Sequence, residues 1–218
     1  MKYQWDLFIF DFDGVIVNSG EDIVDAIQYT LALLNQPEQT SSQILAHIGH
    51  GVERMIRNVF AGVDEETIVA AIKIYRQYYL AHAVIKTRLY GQVGETLAVI
   101  KHDLHKKTAI VTSKPEELTR TILIGLKVSE YFDLVIGPES VKYMKPDPEG
   151  INKVLDYFGM AGNQAVMVGD MHTDIEAGKG AGVYTCGVTY GYGDQQELMA
   201  SAPDLMIQGM GELLSHIE

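Results

Sequence analysis

The sequence predicts an α/β fold built on a doubly wound parallel sheet. The first observation is a series of short apolar runs that each end in glycine, proline, a hydroxyl or an acid, as strands covered on both faces do. The second is that amphipathic helical patterns separate these runs from about residue 95 onward. Alternating strands and helices imply right-handed crossovers, which build such a sheet.

The clearest strands are the apolar runs Leu7–Phe10, 108–111, Leu134–Ile136 and 165–168, and two weaker candidates are 183–188 and Leu205–Ile207. Helical patterns cover residues 95–102, 116–126, 150–158 and 173–180. Ligands of doubly wound sheets bind beyond the carboxyl ends of the strands. Asp11, Thr112 and Asp170 each follow a predicted strand, so we expect them to meet at one site.

One segment breaks the alternation. From about Gly20 to about Lys86 there is helical periodicity but no strand pattern. The two amphipathic faces are Ile23, Ile27, Leu31 and Leu34, and Ile68, Ile72, Tyr75 and Tyr79. The sequence therefore predicts an all-helical cap domain, residues 18–87, inserted after the first strand of a Rossmann-like core formed by 1–17 and 88–218. Insertions of this kind often act as lids.

The charge balance argues against some functions. Lys plus Arg is 17 and Asp plus Glu is 29, which gives a formal net charge of -12. Such a field repels phosphate backbones, so nucleic acid is not an expected partner. An acidic protein that handles an anionic substrate needs local positive charge, which a divalent cation can supply.

Two further features bear on location. Cys186 is the only cysteine, so no intrachain disulfide can form, as is usual in a reducing cytosol. The first residues carry no basic leader, and Asp11 interrupts the apolar run before it reaches the length of a membrane span. We expect a cytoplasmic protein without a membrane partner.

Asp11 and Asp13, separated by Phe12 and followed by Gly14, are the strongest chemical signal. Two carboxylates this close repel each other unless a cation lies between them. One can attack phosphorus as a nucleophile, while the other protonates a leaving group and then activates water. Gly14 lets the backbone turn sharply and approach a ligand. The alternative is a helix N-cap with a spare surface acid.

Asp170 and Asp174 follow another predicted strand and are four residues apart. Their oxygens suit Mg²⁺, with Asp170 as the direct ligand and Asp174 as a supporting one. They could equally be an N-cap and a first-turn acid that favour the helix dipole.

Lys145 and Thr112 supply the remaining groups of the predicted site. Lys145 precedes Pro146 in a loop with two prolines, where it could neutralise a nucleophile and phosphoryl oxygens; the alternative is a surface lysine in a turn. Thr112 and Ser113 lie at a strand-to-helix junction, which suits a phosphate cradle or an ordinary helix N-cap.

In this order the four motifs resemble those of the haloacid dehalogenase superfamily over essentially the whole chain. The resemblance implies Asp11 as nucleophile, Asp13 as acid/base, and Thr112 and Lys145 as phosphate-stabilising groups. It implies Mg²⁺ held by Asp11, the Asp13 carbonyl and the acids Asp170 and Asp174. Haloacid dehalogenases proper lack the second aspartate, so the pair indicates phosphatases and phosphomutases.

Finer features resemble the phosphoglycolate phosphatase branch, namely Asn18-Ser19, Ile48-Gly49-His50-Gly51-Val52, Thr87-Arg88-Leu89-Tyr90 and Val111-Thr112-Ser113-Lys114-Pro115. Gly91 stands where that branch usually has proline, and Ser113 where it usually has asparagine, which changes a phosphate contact. Ser113 and Gly14 are predicted to bind the phosphoryl group. His50 and Arg54 are predicted to reach the substrate from the cap, although His50 could belong to a plain helix-helix turn and Arg54 to the surface.

The expected function is hydrolysis of a small phosphorylated metabolite, a phosphoglycolate-like monoester, with Mg²⁺ as cofactor and an aspartyl-phosphate intermediate at Asp11. The alternatives are a phosphomutase acting on a sugar phosphate, an inorganic pyrophosphatase and a non-catalytic phosphate-binding module. Both a monomer and a homodimer are compatible with the sequence.

Overall fold

A six-stranded, all-parallel sheet forms the centre of the computed structural model, which describes residues 2–217. The strands in chain order are β1 (Leu7–Phe10), β2 (Val17–Asn18), β3 (Arg88–Leu89), β4 (Lys107–Val111), β5 (Leu134–Ile136), β6 (Ala165–Gly169), β7 (Tyr184–Val188) and β8 (Leu205–Ile207). The sheet order is β5-β4-β1-β6-β7-β8, with β1 between β4 and β6. The predicted α/β class is confirmed.

The helices are α1 (Gly20–Leu33), α2 (Ser41–Leu45), α3 (Val52–Val59), α4 (Glu65–His82), α5 (Val93–Ala98), α6 (Glu116–Gly125), α7 (Glu149–Phe158), α8 (His172–Gly180) and α9 (Gln195–Ala200). A π-helical turn, Val99–Asp103, extends α5, and a 3-10 helix, Met210–His216, lies near the end of the described chain. Each predicted helix after residue 90 is present to within two residues at its start. None of the described helices combines the length and apolarity that crossing a bilayer requires.

β1 is buried on both faces, which explains its uninterrupted apolar sequence. Phe8 and Phe10 belong to one hydrophobic cluster, which includes α5 and α6, whereas Leu7 and Ile9 belong to the other, which includes α7. All four side chains are fully buried. Each contributes about 1.5–3 kcal/mol relative to an exposed position. The sheet therefore holds the end of β1 rigidly, and Asp11 follows it directly.

Helices α1 to α4 occupy the segment in which no strand was predicted. The predicted apolar faces are buried at Ile23, Ile27, Leu31, Ile68, Tyr75 and Tyr79, and half-buried at Leu34 and Ile72. The Asp64 side chain caps α4 by accepting a hydrogen bond from the Thr67 N–H. The division into a core and a cap at residues 18–87 stays a prediction.

A two-stranded ribbon was not predicted. β2 and β3 pair antiparallel, with Val17 opposite Leu89 and Asn18 opposite Arg88. Each strand has only two residues, which is too short to produce a recognisable periodicity. The ribbon places the start and the end of the helical segment side by side.

Candidate active site

Asp11 and Asp13 lie at the carboxyl end of β1. The Asp11 N–H donates to the Val168 carbonyl of β6 at 2.9 Å, so the nucleophile candidate is still held by the sheet. The turn closes through hydrogen bonds from the Ile16 and Val17 N–H groups to the Phe12 carbonyl. Asp11 is only 5% exposed and Asp13 only 9%, which excludes a spare surface acid at either position.

Lys145 joins two carboxylates at this end of the sheet. Its Nζ is 2.7 Å from Asp11 Oδ1 and 2.6 Å from Asp174 Oδ1. The loop that carries it is anchored by Glu149, whose Oε2 accepts hydrogen bonds from the Lys142 and Tyr143 N–H groups, each at 2.9 Å. Lys145 therefore lies inside the site and is not a surface lysine in a turn.

Asp170 completes a cluster of three acids. Its Oδ2 accepts hydrogen bonds from the Tyr192 and Gly193 N–H groups at 2.7 and 3.1 Å, while its Oδ1 is buried with no hydrogen-bond partner among the described residues. Asp11, Asp170 and Asp174 each offer one oxygen within 4.8 Å of the others. An all-oxygen set with one unsatisfied carboxylate oxygen fits a hard divalent cation such as Mg²⁺.

Burial dominates the electrostatics of these groups. Among the protein groups alone, burial raises the pKa of Asp11 to about 7, opposed by Lys145 and aided by Asp174. Burial, with Asp11 and Asp174 next, also raises the pKa of Asp170 well above its ordinary value. Burial disfavours the charge on Lys145, but Asp11 and Asp174 outweigh it and raise the pKa of that ammonium. A cation among the carboxylates would favour their ionised forms.

Gly14 separates the first acidic pair from Asp170. Its φ is +92°, and a Cβ on this residue would lie 2.3 Å from Asp170 Oδ2. A side chain is therefore excluded both by backbone conformation and by space. The glycine allows the turn after β1 to approach the acid cluster.

Thr112 and Ser113 follow β4, as predicted. The Thr112 N–H donates to the Ile136 carbonyl at 3.0 Å, and its Oγ1 accepts a hydrogen bond from the Lys114 N–H at 3.1 Å. With Asp11 and Asp13 these two residues line a cavity of about 40 Å³. The structure thus brings the predicted hydroxyls to the predicted carboxylates.

Lys114 is a buried cation of the site to which the sequence analysis gave no role. Its Nζ is 3.0 Å from Asp13 Oδ2, and the two side chains are 5% and 11% exposed. Ser19 Oγ donates a hydrogen bond to the other Asp13 oxygen. A lysine directly after two hydroxyls at a strand end was the available signal, but the sequence does not show that its side chain turns inward.

His50 and Arg54 lie at the mouth of the site. Both line a groove of about 800 Å³ that also contains Ser113, Lys145 and His172. Burial, followed by the charges of Arg54 and His172, lowers the pKa of His50. Neither side chain lines the small cavity at Asp11, although Gly49 and Gly51 on either side of His50 do.

Comparisons with known proteins show the family to which the chain belongs. The family model described as haloacid dehalogenase-like hydrolase matches residues 8–188. A phosphoglycolate phosphatase of Aquifex aeolicus is 33% identical over 208 residues, covering 95% of this chain and 94% of that protein. The pyrophosphatase PpaX of Anoxybacillus flavithermus is 33% identical over 210 residues, covering 95% and 94%.

A solved structure has nearly the same fold. The crystal structure of a predicted phosphoglycolate phosphatase from Haemophilus somnus superimposes with a TM-score of 0.93 at 28% identity, covering 97% of each chain. Because these relatives are named as enzymes, they argue against the alternative of a non-catalytic phosphate-binding module. The chain belongs to the haloacid dehalogenase-like hydrolases, as a phosphoric monoester hydrolase of their phosphoglycolate phosphatase-like branch.

Proposed function

We propose that this phosphatase hydrolyses a small, phosphoglycolate-like phosphate monoester with the help of Mg²⁺, through an aspartyl-phosphate at Asp11. The observation that carries the proposal is the pairing of Asp11 with Lys145 at 2.7 Å beside a cavity that Asp13 and Thr112 also line. The proposed nucleophile, proton carrier and hydroxyl line one small space, and the Lys145 ammonium is paired with the nucleophile. Phosphate binding alone requires no such nucleophile.

The residues that would hold Mg²⁺ are Asp11, Asp170 and the Asp13 carbonyl, with Asp174 supporting them. When bound, the ion neutralises charge on the transferring phosphoryl group. Asp174 pairs with Lys145 through Oδ1 and accepts a hydrogen bond from the Met171 N–H through Oδ2. These two contacts fix its position beside the other acids.

In the first step a carboxylate oxygen of Asp11 bonds to phosphorus, and the bond between phosphorus and the ester oxygen breaks. Asp13 transfers its proton to the departing oxygen, while Lys145 and the Thr112 hydroxyl stabilise the phosphoryl oxygens. In the second step Asp13 takes a proton from water, whose oxygen attacks phosphorus and frees phosphate and the Asp11 carboxylate.

The required acceleration needs all of these groups. Uncatalysed hydrolysis of phosphate monoesters can call for up to ~10²¹-fold acceleration, which is roughly 29 kcal/mol. A positioned acid/base supplies about 10²–10⁴. The remainder comes from the covalent step, in-line positioning and charge stabilisation.

The helical segment 18–87 serves as the lid in this proposal. The cavity beside Asp11 is small, about 40 Å³. Gly49 and Gly51 of this segment form part of its wall, and in the proposal the segment moves to admit the substrate and to exclude bulk water. His50 and Arg54, in the outer groove, are the proposed contacts for the rest of the substrate.

Inorganic pyrophosphate is the second candidate substrate, since the PpaX pyrophosphatases of Anoxybacillus flavithermus and Bacillus cereus are 33% and 32% identical to this chain. The sequence-based expectations of a cytoplasmic location and of a monomer or homodimer are part of this proposal and have their own tests in fractionation and gel filtration.

The deciding experiment measures phosphate release from phosphoglycolate, pyrophosphate, nucleoside monophosphates and sugar phosphates, with Mg²⁺ and with excess chelator. We expect hydrolysis that requires Mg²⁺, with phosphoglycolate preferred. Asp11→Asn should abolish it, whereas Asp156→Asn, at an exposed acid of α7, should not. Hydrolysis of no ester, or full activity of Asp11→Asn, would contradict the mechanism. Full activity in chelator would contradict the metal assignment alone, and accumulation of a sugar bisphosphate would indicate a mutase.

A further inference from the structure

A chain of contacts between buried side chains connects helix α4 to Asp13. Lys114 Nζ donates to the Tyr79 hydroxyl at 3.1 Å and lies 3.0 Å from Asp13 Oδ2. Ser19 Oγ donates to Asp13 Oδ1. The four residues are between 0% and 9% exposed, so water does not compete strongly for these contacts.

The members of this network come from separate parts of the chain. Asp13 follows β1, Ser19 precedes α1, Lys114 follows β4, and Tyr79 belongs to the last turns of α4. Tyr79 is therefore the contribution of the proposed lid to a contact that otherwise belongs to the catalytic end of the sheet. The hydrogen bond between Tyr79 and Lys114 therefore requires α4 to pack against the loop after β4.

Tyr79 restrains the lysine in two ways. Its hydroxyl accepts the hydrogen bond, and Lys114 Nζ also lies 4.7 Å from the centroid of the tyrosine ring. The quadrupole of an aromatic ring attracts a cation placed over its face, and more strongly when the cation is desolvated. The ammonium is thus fixed between the ring of α4 and the Asp13 carboxylate.

Asp13 in turn has little freedom. One carboxylate oxygen is held by Ser19 and the other by Lys114, so the plane of the group is set by these two donors. General acid catalysis depends on such placement, because a misplacement of 1 Å can cost about 10²-fold in rate. A weaker hold on Lys114 would loosen Asp13 without touching the nucleophile.

We infer that Tyr79 is a positioning residue for proton transfer: it holds Lys114, and Lys114 orients Asp13 toward the leaving oxygen. The inference rests on the proposed role of Asp13 as proton carrier. It makes the acid/base complete only when the helical segment is closed. It also separates Tyr79 from tyrosines of α4 that only pack the helix.

The test compares two kinds of leaving group. Alkyl phosphates such as phosphoglycolate need a proton on the leaving oxygen, whereas p-nitrophenyl phosphate leaves as a stable phenolate and does not. In Tyr79→Phe we expect kcat/KM for phosphoglycolate to fall about 10- to 100-fold and for p-nitrophenyl phosphate to fall far less. An equal loss with both substrates, or no loss with either, would overturn the inference.

Tyr78→Phe is the matched control, because Tyr78 also belongs to α4 but stacks on Tyr29 and His82, each at 4.1 Å between ring centroids, and does not line the cavity beside Asp11. It should change both kcat/KM values by the same factor. Lys114→Met should show the same substrate-dependent split as Tyr79→Phe, and Lys114→Arg should partly remove it. The two Lys114 variants keep the inference testable if Tyr79→Phe fails to fold.

The two hypotheses fail in different ways. If the wild-type protein hydrolyses neither ester, the proposed function is wrong and the inference with it. If the wild type is active, Asp11→Asn is inactive and a folded Tyr79→Phe protein shows no split, only the inference is wrong.

Discussion

Lys145 lies between two carboxylates that are as buried as it is. Its side chain is 6% exposed, and those of Asp11 and Asp174 are 7% and 1% exposed. Buried ion pairs contribute little net stability compared with apolar residues, but removing one partner leaves the other charge buried and uncompensated. The lysine should therefore matter for folding as well as for catalysis.

Lys145→Met should lower the free energy of unfolding by about 3–5 kcal/mol in excess chelator, because Asp11 and Asp174 lose their common cation. Urea unfolding followed by circular dichroism measures the change. Lys86→Met, which removes an exposed pair with Asp25, should cost much less. Equal losses in the two variants would show that the Lys145 pairs are solvated.

Gly14→Ala should abolish activity, since a Cβ there would lie 2.3 Å from Asp170 Oδ2. Gly62→Ala is the matched control: Gly62 has nearly the same φ, +94° against +92°, but nothing lies within 4 Å of its would-be Cβ. It should cost about 1–2 kcal/mol of strain and leave kcat unchanged. Phosphate release and urea unfolding of both variants test this, and an active Gly14→Ala protein would contradict the close approach.

At the scale of elements, the loop before α7 depends on Glu149. Its carboxylate accepts hydrogen bonds from two backbone N–H groups of this loop and forms an ion pair with Lys153 at 2.8 Å. The hydrogen bond from Lys153, followed by those from Tyr143 and Lys142, lowers the pKa of Glu149 from 4.5 to about 2. The charged form is thus the one that fixes the loop carrying Lys145.

The pH dependence follows from this depressed pKa. Because the native state binds fewer protons than the unfolded state between pH 4.5 and about 2, the stabilisation is complete above pH 4.5 and disappears as the pH falls toward 2. The stability difference between wild type and Glu149→Gln should therefore be largest near pH 6 and shrink at pH 3. Urea midpoints at both pH values measure it, and a difference that is independent of pH would contradict it.

The order of the elements could be predicted from the sequence, but some of the contacts at the site could not. Apolar runs ending in Asp11, Thr112 and Asp170 indicated where strands end, and parallel strands bring such ends together. The Lys114–Asp13 pair depends on the direction of one side chain, and the β2–β3 ribbon on pairing across the whole helical segment. Neither leaves a periodic signal. The inward direction of Tyr79 was visible as a buried face, but its hydrogen bond was not.

At the scale of the molecule, the buried thiol of Cys186 reports on the whole core. It lies in β7, is 0% exposed, and burial raises the pKa of Cys186 to about 12. A thiolate is the reactive form of cysteine, so almost none is present in the native protein at neutral pH.

Cys186 should therefore react with a thiol reagent only when the sheet opens. With excess reagent at pH 7.5 we expect labelling to be slow in buffer and complete in concentrated urea, with the intermediate rates following the unfolding curve. Since this is the only cysteine in the sequence, every modified chain counts as one opening event. Fast labelling of the native protein would contradict the packing of β7 between its neighbours.

The short ribbon of β2 and β3 makes the helical segment between them easy to replace during evolution. Since Val17 and Asn18 pair with Leu89 and Arg88, the two ends of the helical segment lie side by side. Lengthening a closed loop costs only about 0.6 kcal/mol for each doubling. The intervening helices can thus be lengthened, shortened or exchanged for those of a relative while the six-stranded sheet keeps its register. Under the proposed function, such grafts should transfer substrate preference as a unit and leave Asp11 and Asp13 where they are.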